Sequence, residues 1–207
     1  MLKCSRIDIN QDKAEMKSFS NKKFADILKD HDKIVDCEFI DCIFVKCKFA
    51  DCTFINCIFS ECSFLDCVFT NIQSKETNML LSTFINCNII GVCWANFQSG
   101  SFSSPIYKFD KCYLKYNDFE KLSFKKFDFL QSSLIDCFFM NCDLSESNFK
   151  SCNLHNTEFS DCDLRKSDLR KARGYNINLL SNRIKGAKFS YPDVINLLEP
   201  FDIKIEK

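Results

Sequence analysis

The chain is poor in the residues that usually make turns: its 207 residues include only 4 Gly and 3 Pro. That is few for a sequence whose turns look so frequent, and it leaves no Gly-rich loop to cradle a phosphate. No apolar run approaches the ~18 residues that cross a bilayer, so no membrane association is expected. The opening Met1-Leu2-Lys3-Cys4-Ser5-Arg6 lacks an apolar h-region, so no secretory signal is expected. Lys+Arg and Asp+Glu number 28 each. A net charge of zero argues against a strongly basic nucleic-acid coat, and no direct nucleic-acid contact is expected. Histidine is scarce too. His31 and His155 read as surface residues without a nucleophile–base–orienter set around them, so no catalytic residue is expected.

The chain is instead rich in Cys, with 15, and Phe, with 23. The odd thiol count, the chain length and the lack of an export signal favour reduced thiols and a cytoplasmic location. The cysteines recur as Cys37, Cys42, Cys47, Cys52, Cys57, Cys62 and Cys67, and a Phe follows each by two residues, from Phe39 to Phe69. Between 39 and 189 this interval defines 31 slots; Phe or Leu fills 23, and Met79, Ile89, Trp94 and Ile184 raise the apolar total to 27. The exceptions are Ser74, Ser99, Ser104 and Gly174. Thirteen of the cysteines sit two residues before a slot.

A period of five suits neither an α-helix nor a flat strand, whose periods are 3.6 and 2. It suits a short strand and a tight turn repeated as a coil. One large apolar and one small residue per unit then point to the axis, and the other three face water. Cys is a small hydrophobe that fits the small inward position. Its x4 spacing differs from the x2 spacing of zinc knuckles, so neither a metal nor any other cofactor is expected.

Units such as Cys37-Glu38-Phe39-Ile40-Asp41, Cys142-Asp143-Leu144-Ser145-Glu146 and Ser167-Asp168-Leu169-Arg170-Lys171 resemble the pentapeptide-repeat family. The resemblance spans about three quarters of the chain. It implies an all-β, right-handed quadrilateral β-helix with four pentapeptides per coil, about eight coils in all, and residues twenty apart in stacks. One stack should hold Phe39, Phe59, Met79, Phe119, Phe139, Phe159 and Leu179. Another should hold Phe49, Phe69, Ile89, Phe109, Phe129, Phe149, Leu169 and Phe189. Each buried Phe or Leu is worth ~1.5–3 kcal/mol relative to exposure.

The expected domains are an N-terminal cap over 1–35 with a short helix around 22–29, a β-helix over 36–190, and a C-terminal helix and strand over 191–207. Gln98–Ile106 reads either as a projecting loop or as a slip absorbed by the wall, with Gln98 and Ser101 as candidate contact residues on a loop. Val45, Leu65 and Ile85 lie twenty apart at outward positions and are candidates for a protein-contact strip, with packing between β-branched neighbours as the other reading. At the C-terminus Val194, Leu197 and Leu198 have helical spacing after Pro192, Pro200 should stop the helix, and Phe201 and Ile203 alternate as in a strand. This ending resembles that of the Qnr quinolone-protection proteins and of microcin-immunity pentapeptide proteins. The resemblance implies a homodimer through Val194, Leu197, Leu198, Phe201 and Ile203. It also implies a non-catalytic protein that binds DNA gyrase or topoisomerase IV by imitating DNA; a generic protein-interaction scaffold is the alternative. Residues 37–96 carry net −3 and residues 97–190 net +4, which is a weak imitation of a polymer bearing one charge per ~1.7 Å.

Overall fold

A computed structural model describes residues 16–97, 104–201 and 203. The chain forms two compact units, residues 1–113 and 114–207, and each is a parallel β-solenoid.

In the first unit each of the first three coils contributes one short strand to each of four walls. One wall stacks Lys17–Ser20, Cys37–Ile40, Ile58–Ser60 and Asn78–Leu80; the next stacks Lys23–Ala25, Ile43–Val45, Ser63–Leu65 and Ser82–Ile85. All these pairings are parallel and twenty residues apart, as in Phe39↔Phe59 and Phe44↔Phe64. The local cause is an alternation of three: in Ser63-Phe64-Leu65 only the middle side chain is fully buried. A corner residue with φ near +50° then turns the chain, as at Asp41 (52°), Lys46 (53°) and Asp51 (51°). Its N–H bonds the next coil, Asp41 N donating to Ser60 O at 3.0 Å. The inward rings stack nearly parallel within a wall, Phe39 on Phe59 at 5.0 Å and Phe44 on Phe64 at 4.9 Å. They meet edge-on between walls, Phe54 against Phe59 at 89°. Both geometries are favourable for aromatic quadrupoles.

Three sequence expectations fail here. The solenoid begins before residue 36: Lys17–Ser20, Lys23–Ala25, Leu28–Asp30 and Lys33–Val35 form a complete coil of strands, so 17–35 is neither an irregular cap nor a helix. Residues 1–15 lie outside the described residues. Phe24 and Ile34 are buried in the frame that the expected cap already shared with the repeats.

The second failure concerns register. Phe84 pairs with Phe109, not with Ser104, so this coil is twenty-five residues long. A short 3-10 helix, Trp94–Phe97, replaces a strand, and Ser74 Oγ, in a slot otherwise filled by Phe, donates to Asn96 O at 2.8 Å. The chain rejoins the wall at Ile106, which sits against Ser82, and Tyr107 bulges outward, 66 % exposed. An insertion of five residues leaves the five-residue count in phase but moves Phe109 to the wall of Phe84. Phe109 therefore stacks under Phe84 at 5.5 Å, not under Ile89, and the second expected stack does not continue through it. Ser104 and Pro105 are wall residues whose carbonyls accept from Leu81 N and Ser82 N. Gln98 and Ser101 lie outside the described residues.

In the second unit two stacks are tighter, Phe119 on Phe139 and Phe129 on Phe149 at 4.5 Å each, while Phe139 on Phe159 stands at 5.1 Å. Two of its walls are built from turns joined by single bridges, Ser123↔Asp143↔Asp163↔Arg183 and Asp128↔Asn148↔Asp168↔Lys188. The Asp or Asn before each large slot accepts from the backbone two residues on, as Asp143 Oδ1 does from Ser145 N at 3.0 Å. That is a local Asx turn. A later coil is cut short. Asn153↔Arg173 is followed by Thr157↔Tyr175 and Phe159↔Ile177, so two residues are missing at one corner. Ile177, not Leu179, fills the large slot, and Leu179 is only half-buried. Gly174 makes the short cut possible, because a Cβ there would come within 2.8 Å of the His155 backbone.

The third failure is the C-terminus. A 3-10 helix runs through Asp193–Phe201, so Pro200 does not stop it and Phe201 is helical rather than strand. Ile203 is exposed and in no element, and residues 202 and 204–207 lie outside the described residues.

The ladder accounts for a sharp contrast in mutational cost. Phe139→Ala, between two stacked rings, should lose ~3–5 kcal/mol of unfolding free energy, whereas Ile40→Ala, half-buried on a wall, should lose under ~1.5 kcal/mol. Denaturant melts of both variants check this, and equal losses would contradict the inward frame.

Candidate interaction surfaces

The fold commits one large and one small side chain of each pentapeptide to the lumen. The core-ladder residues Phe39, Phe59, Phe49, Phe69, Phe119, Phe139, Phe159 and Phe149 are all buried, none above 7 % exposed. Thirteen of the described cysteines are buried and all are free thiols. Their role is more than filling. Cys62 Sγ lies 3.3 Å from Phe39 O, one coil back, and 3.5 Å from Ser60 O; Cys162 repeats this with Phe139 O at 3.4 Å and Ser160 O at 3.2 Å. At two positions where Cys is replaced the replacement also donates: Thr157 Oγ1 to Leu134 O at 2.9 Å, Asn182 Nδ2 to Phe159 O at 2.7 Å. Where it holds Cys, Thr157 or Asn182, the small slot thus supplies a donor to carbonyls beside the large slot, which spacing alone did not disclose; Ile72, Val92 and Leu122 only fill it, and Ser82 Oγ there has no partner.

Burial pushes the thiols of Cys62, Cys137 and Cys152 from 9.0 up to about 12, so at neutral pH they stay protonated and unreactive.

The outward positions carry the candidate contacts. Val45 pairs with Leu65 and Leu65 with Ile85, forming one half-buried apolar column on a wall of the first unit. Ile43 stands beside it, 42 % exposed, and Ala25 and Asp110 close the column at its two ends. The corners are the outward feature that composition hid. Asp36, Asp41, Asp51, Glu61, Asp66 and Glu76 all occupy left-handed corners of the first unit. Asn residues tie these corners vertically: Asn56 Nδ2 donates to Asp36 Oδ1 at 2.8 Å and Asn71 Nδ2 to Asp51 Oδ1 at 3.1 Å. The legible signal was Asp, Asn or Glu recurring two residues after each Phe of the Cys-x-Phe run except Phe44, which Lys46 follows. His31 is exposed and stands 2.7 Å from Asp30 Oδ1, with Asp51 close by.

In the second unit the shortened coil leaves a cleft of ≈ 740 Å³ beside Asp136, His155, Glu158, Gly174, Tyr175 and Asn196. Tyr175 is 5 % exposed, its hydroxyl has no hydrogen-bond partner, and burial together with the Asp193 charge pushes its pKa up to about 12.

The candidate dimerisation residues divide. Leu197 is buried at 5 %, and its helix packs on strand Arg173–Ile177 of its own chain. Val194 and Leu198 are half-buried, while Phe201 and Ile203 are exposed at 41 % and 53 %. No helix among the described residues is long and apolar enough to cross a membrane.

Two family models match the sequence: "Pentapeptide repeat region" over residues 108–189 and "Pentapeptide repeats (8 copies)" over residues 35–71. Among curated proteins none matches significantly. Solved structures that are similar include HetL, a pentapeptide repeat protein involved in heterocyst differentiation regulation in the cyanobacterium Nostoc. It shares 10 % identity over 82 % of this chain and 86 % of its own, with a TM-score of 0.55. A trypsin-treated QnrB1, a plasmid-mediated fluoroquinolone resistance protein, shares 16 % identity over 92 % of this chain and 98 % of its own, with a TM-score of 0.42.

The raised thiols set a pH dependence. The unfolded chain releases these protons near pH 9 and the folded chain holds them to about 12, so their contribution is complete below pH 9 and is lost as pH climbs from 9 to 12. Melting temperature should fall across that window, and native labelling by a thiol reagent at pH 8 should reach Cys93 far faster than the Cys37–Cys67 run. Rapid native labelling of that run would contradict the lumen assignment.

Proposed function

The chain belongs to the pentapeptide-repeat family, and from that premise we propose that it is a non-catalytic, cytoplasmic protein-binding scaffold whose partner is a type II topoisomerase, DNA gyrase or topoisomerase IV. The observation that carries the reading is the Val45–Leu65–Ile85 column. It is a row of apolar side chains held by backbone pairing on a rigid wall, where docking costs little ordering entropy. The acidic corners of the same unit support the choice of partner. Asp41 and Glu61 are stacked one coil, ~4.8 Å, apart, and Asp36, Asp51, Asp66 and Glu76 extend the pattern around the corners. An enzyme that grips a phosphate backbone with cations would find fixed anions there. The dispersed net charge of −3 understates this, because the acids concentrate at corners. The alternative, a scaffold for another protein, rests on the same column without the corners.

We further propose that the protein works as a homodimer joined through the C-terminal helix, with Val194, Leu198, Phe201 and Ile203 at the contact and Leu197 securing the helix to its own coil. A two-fold contact repeats each residue, so one substitution strikes twice. Leu198→Asp would bury an unpaired carboxylate there. Light scattering should show a dimeric wild type and a folded, mostly monomeric variant; a monomeric wild type at high concentration contradicts the dimer.

The partner is tested by a gyrase supercoiling assay with and without quinolone. Wild-type protein should restore supercoiling in the presence of drug, and Leu65→Asp should lose that effect by ten-fold or more at an unchanged melting temperature. No effect of the wild type on supercoiling at any concentration contradicts the topoisomerase partner and leaves the alternative scaffold.

A further inference from the structure

The zero net charge of the chain hides a segregation inside the second unit. Its two turn-built walls and the corner joining them comprise residues 123–131, 143–151, 163–171 and 183–191, with ten bases and five acids, net +5. The remaining stretches of its coils, 114–122, 132–142, 152–162 and 172–182, hold three bases and five acids, net −2. The bridging register stacks the cations in columns. Lys125, Arg165 and Lys185 share one column beside Ser123↔Asp143↔Asp163↔Arg183, and Lys150 and Arg170 share another beside Asp128↔Asn148↔Asp168↔Lys188. The corner between them carries Lys126 and Lys166, at φ 59° each, with Glu146 in the coil between them. All of these side chains are exposed.

The acids on this surface are already engaged. Asp163 accepts from the Arg165 backbone N at 3.1 Å and from its guanidinium at 2.8 Å; Asp168 does the same with Arg170 at 3.1 and 2.9 Å. Asp143 accepts from Ser145 N, and Asp128 from Leu130 N and Asn148 Nδ2. Four of the five acids therefore cap turns. Among the described residues none of the ammonium groups of Lys125, Lys126, Lys150, Lys166, Lys171 and Lys185 has a carboxylate in ion-pair range.

We propose that this surface binds the phosphate backbone of double-stranded nucleic acid, without reading its sequence. Three observations select that partner. The cations recur one or two coils apart, ~4.8 or ~9.6 Å, on a rigid support, so several can meet one phosphate row at little entropic cost. The surface lacks the apolar anchors that protein interfaces concentrate: its exposed large apolar side chains among the described residues are Leu130, at 36 %, and Tyr191, at its margin. Nor does it present a row of exposed aromatic side chains on which successive unpaired bases could stack, as single-strand binders do. The inference goes beyond the protein-binding reading above, uses a different unit, and stands independently of it. It also replaces the expectation, drawn from net charge alone, that nucleic acid is not contacted.

The test is fluorescence anisotropy of the full-length protein with a labelled 20-base-pair DNA duplex of arbitrary sequence, titrated in 50 to 200 mM KCl. With about four to five phosphates neutralised, log affinity should fall against log salt with a slope of about −4, a loss of roughly 10²–10³-fold over that range. The double variant Lys166→Glu, Lys185→Glu should bind at least ten-fold more weakly with a shallower slope, at an unchanged melting temperature, while Lys46→Glu in the first unit should bind as wild type. Absence of duplex binding at 50 mM KCl, or equal binding by the double variant, overturns the proposal. Tighter binding to phosphatidylserine vesicles than to the duplex, with the same loss in the double variant, overturns the choice of nucleic acid.

Discussion

A chain that turns four times per coil needs a backbone reversal every fifth residue, and in this structure the reversal is a left-handed one. Among the described residues twenty-seven that are not glycine have positive φ, a conformation that costs an L-residue ~1–2 kcal/mol. With 4 Gly the chain cannot avoid that cost. It is offset by what each corner makes possible: a corner N–H bonded to the next coil, a ring on a ring and a thiol on a carbonyl. The corner bonds, the stacked rings and the thiol contacts one coil back all join one coil to the next, so much of each coil's stability comes from its neighbours.

The same constraint shapes the surface. Asn and Asp tolerate the left-handed region better than other side chains because they bond locally. The corners of the first unit are accordingly rich in Asp and Asn, and their acids come with the fold. In the second unit Asp moves to the position before the large slot, where it caps a turn, and Lys and Arg take the projecting positions. One repeat with the same lumen thus makes an acidic set of corners in one unit and a basic pair of walls in the other. Function resides in which outward position a given charge occupies, a distinction that net charge erases.

The lumen was legible in the sequence because Phe and Cys recur every five residues with few interruptions. The insertion before Ile106 was legible only as a disturbance, since five added residues keep the count intact; the wall exchange required the pairing of Phe84 with Phe109. Residues 17–35 were misread because Lys17, Lys22, Lys23 and Lys33 mask a frame held by Phe24 and Ile34. The shortened coil was marked by Gly174, but its new large-slot residue, Ile177, lies out of phase and looks like any apolar residue. The apolar column was legible from residues twenty apart within the first unit. The acidic corners and basic walls were missed because charge was summed by segment rather than by position in the repeat.

The left-handed corner is tested most directly at Glu61, an exposed corner with φ 52°, by comparing the unfolding free energies of Glu61→Gly and Glu61→Val. Glycine adopts this conformation freely and a β-branched residue does so worst. The account predicts that the glycine variant is at least as stable as wild type and that the valine variant is less stable by ~1–2 kcal/mol. Equal stability of the two variants would contradict it.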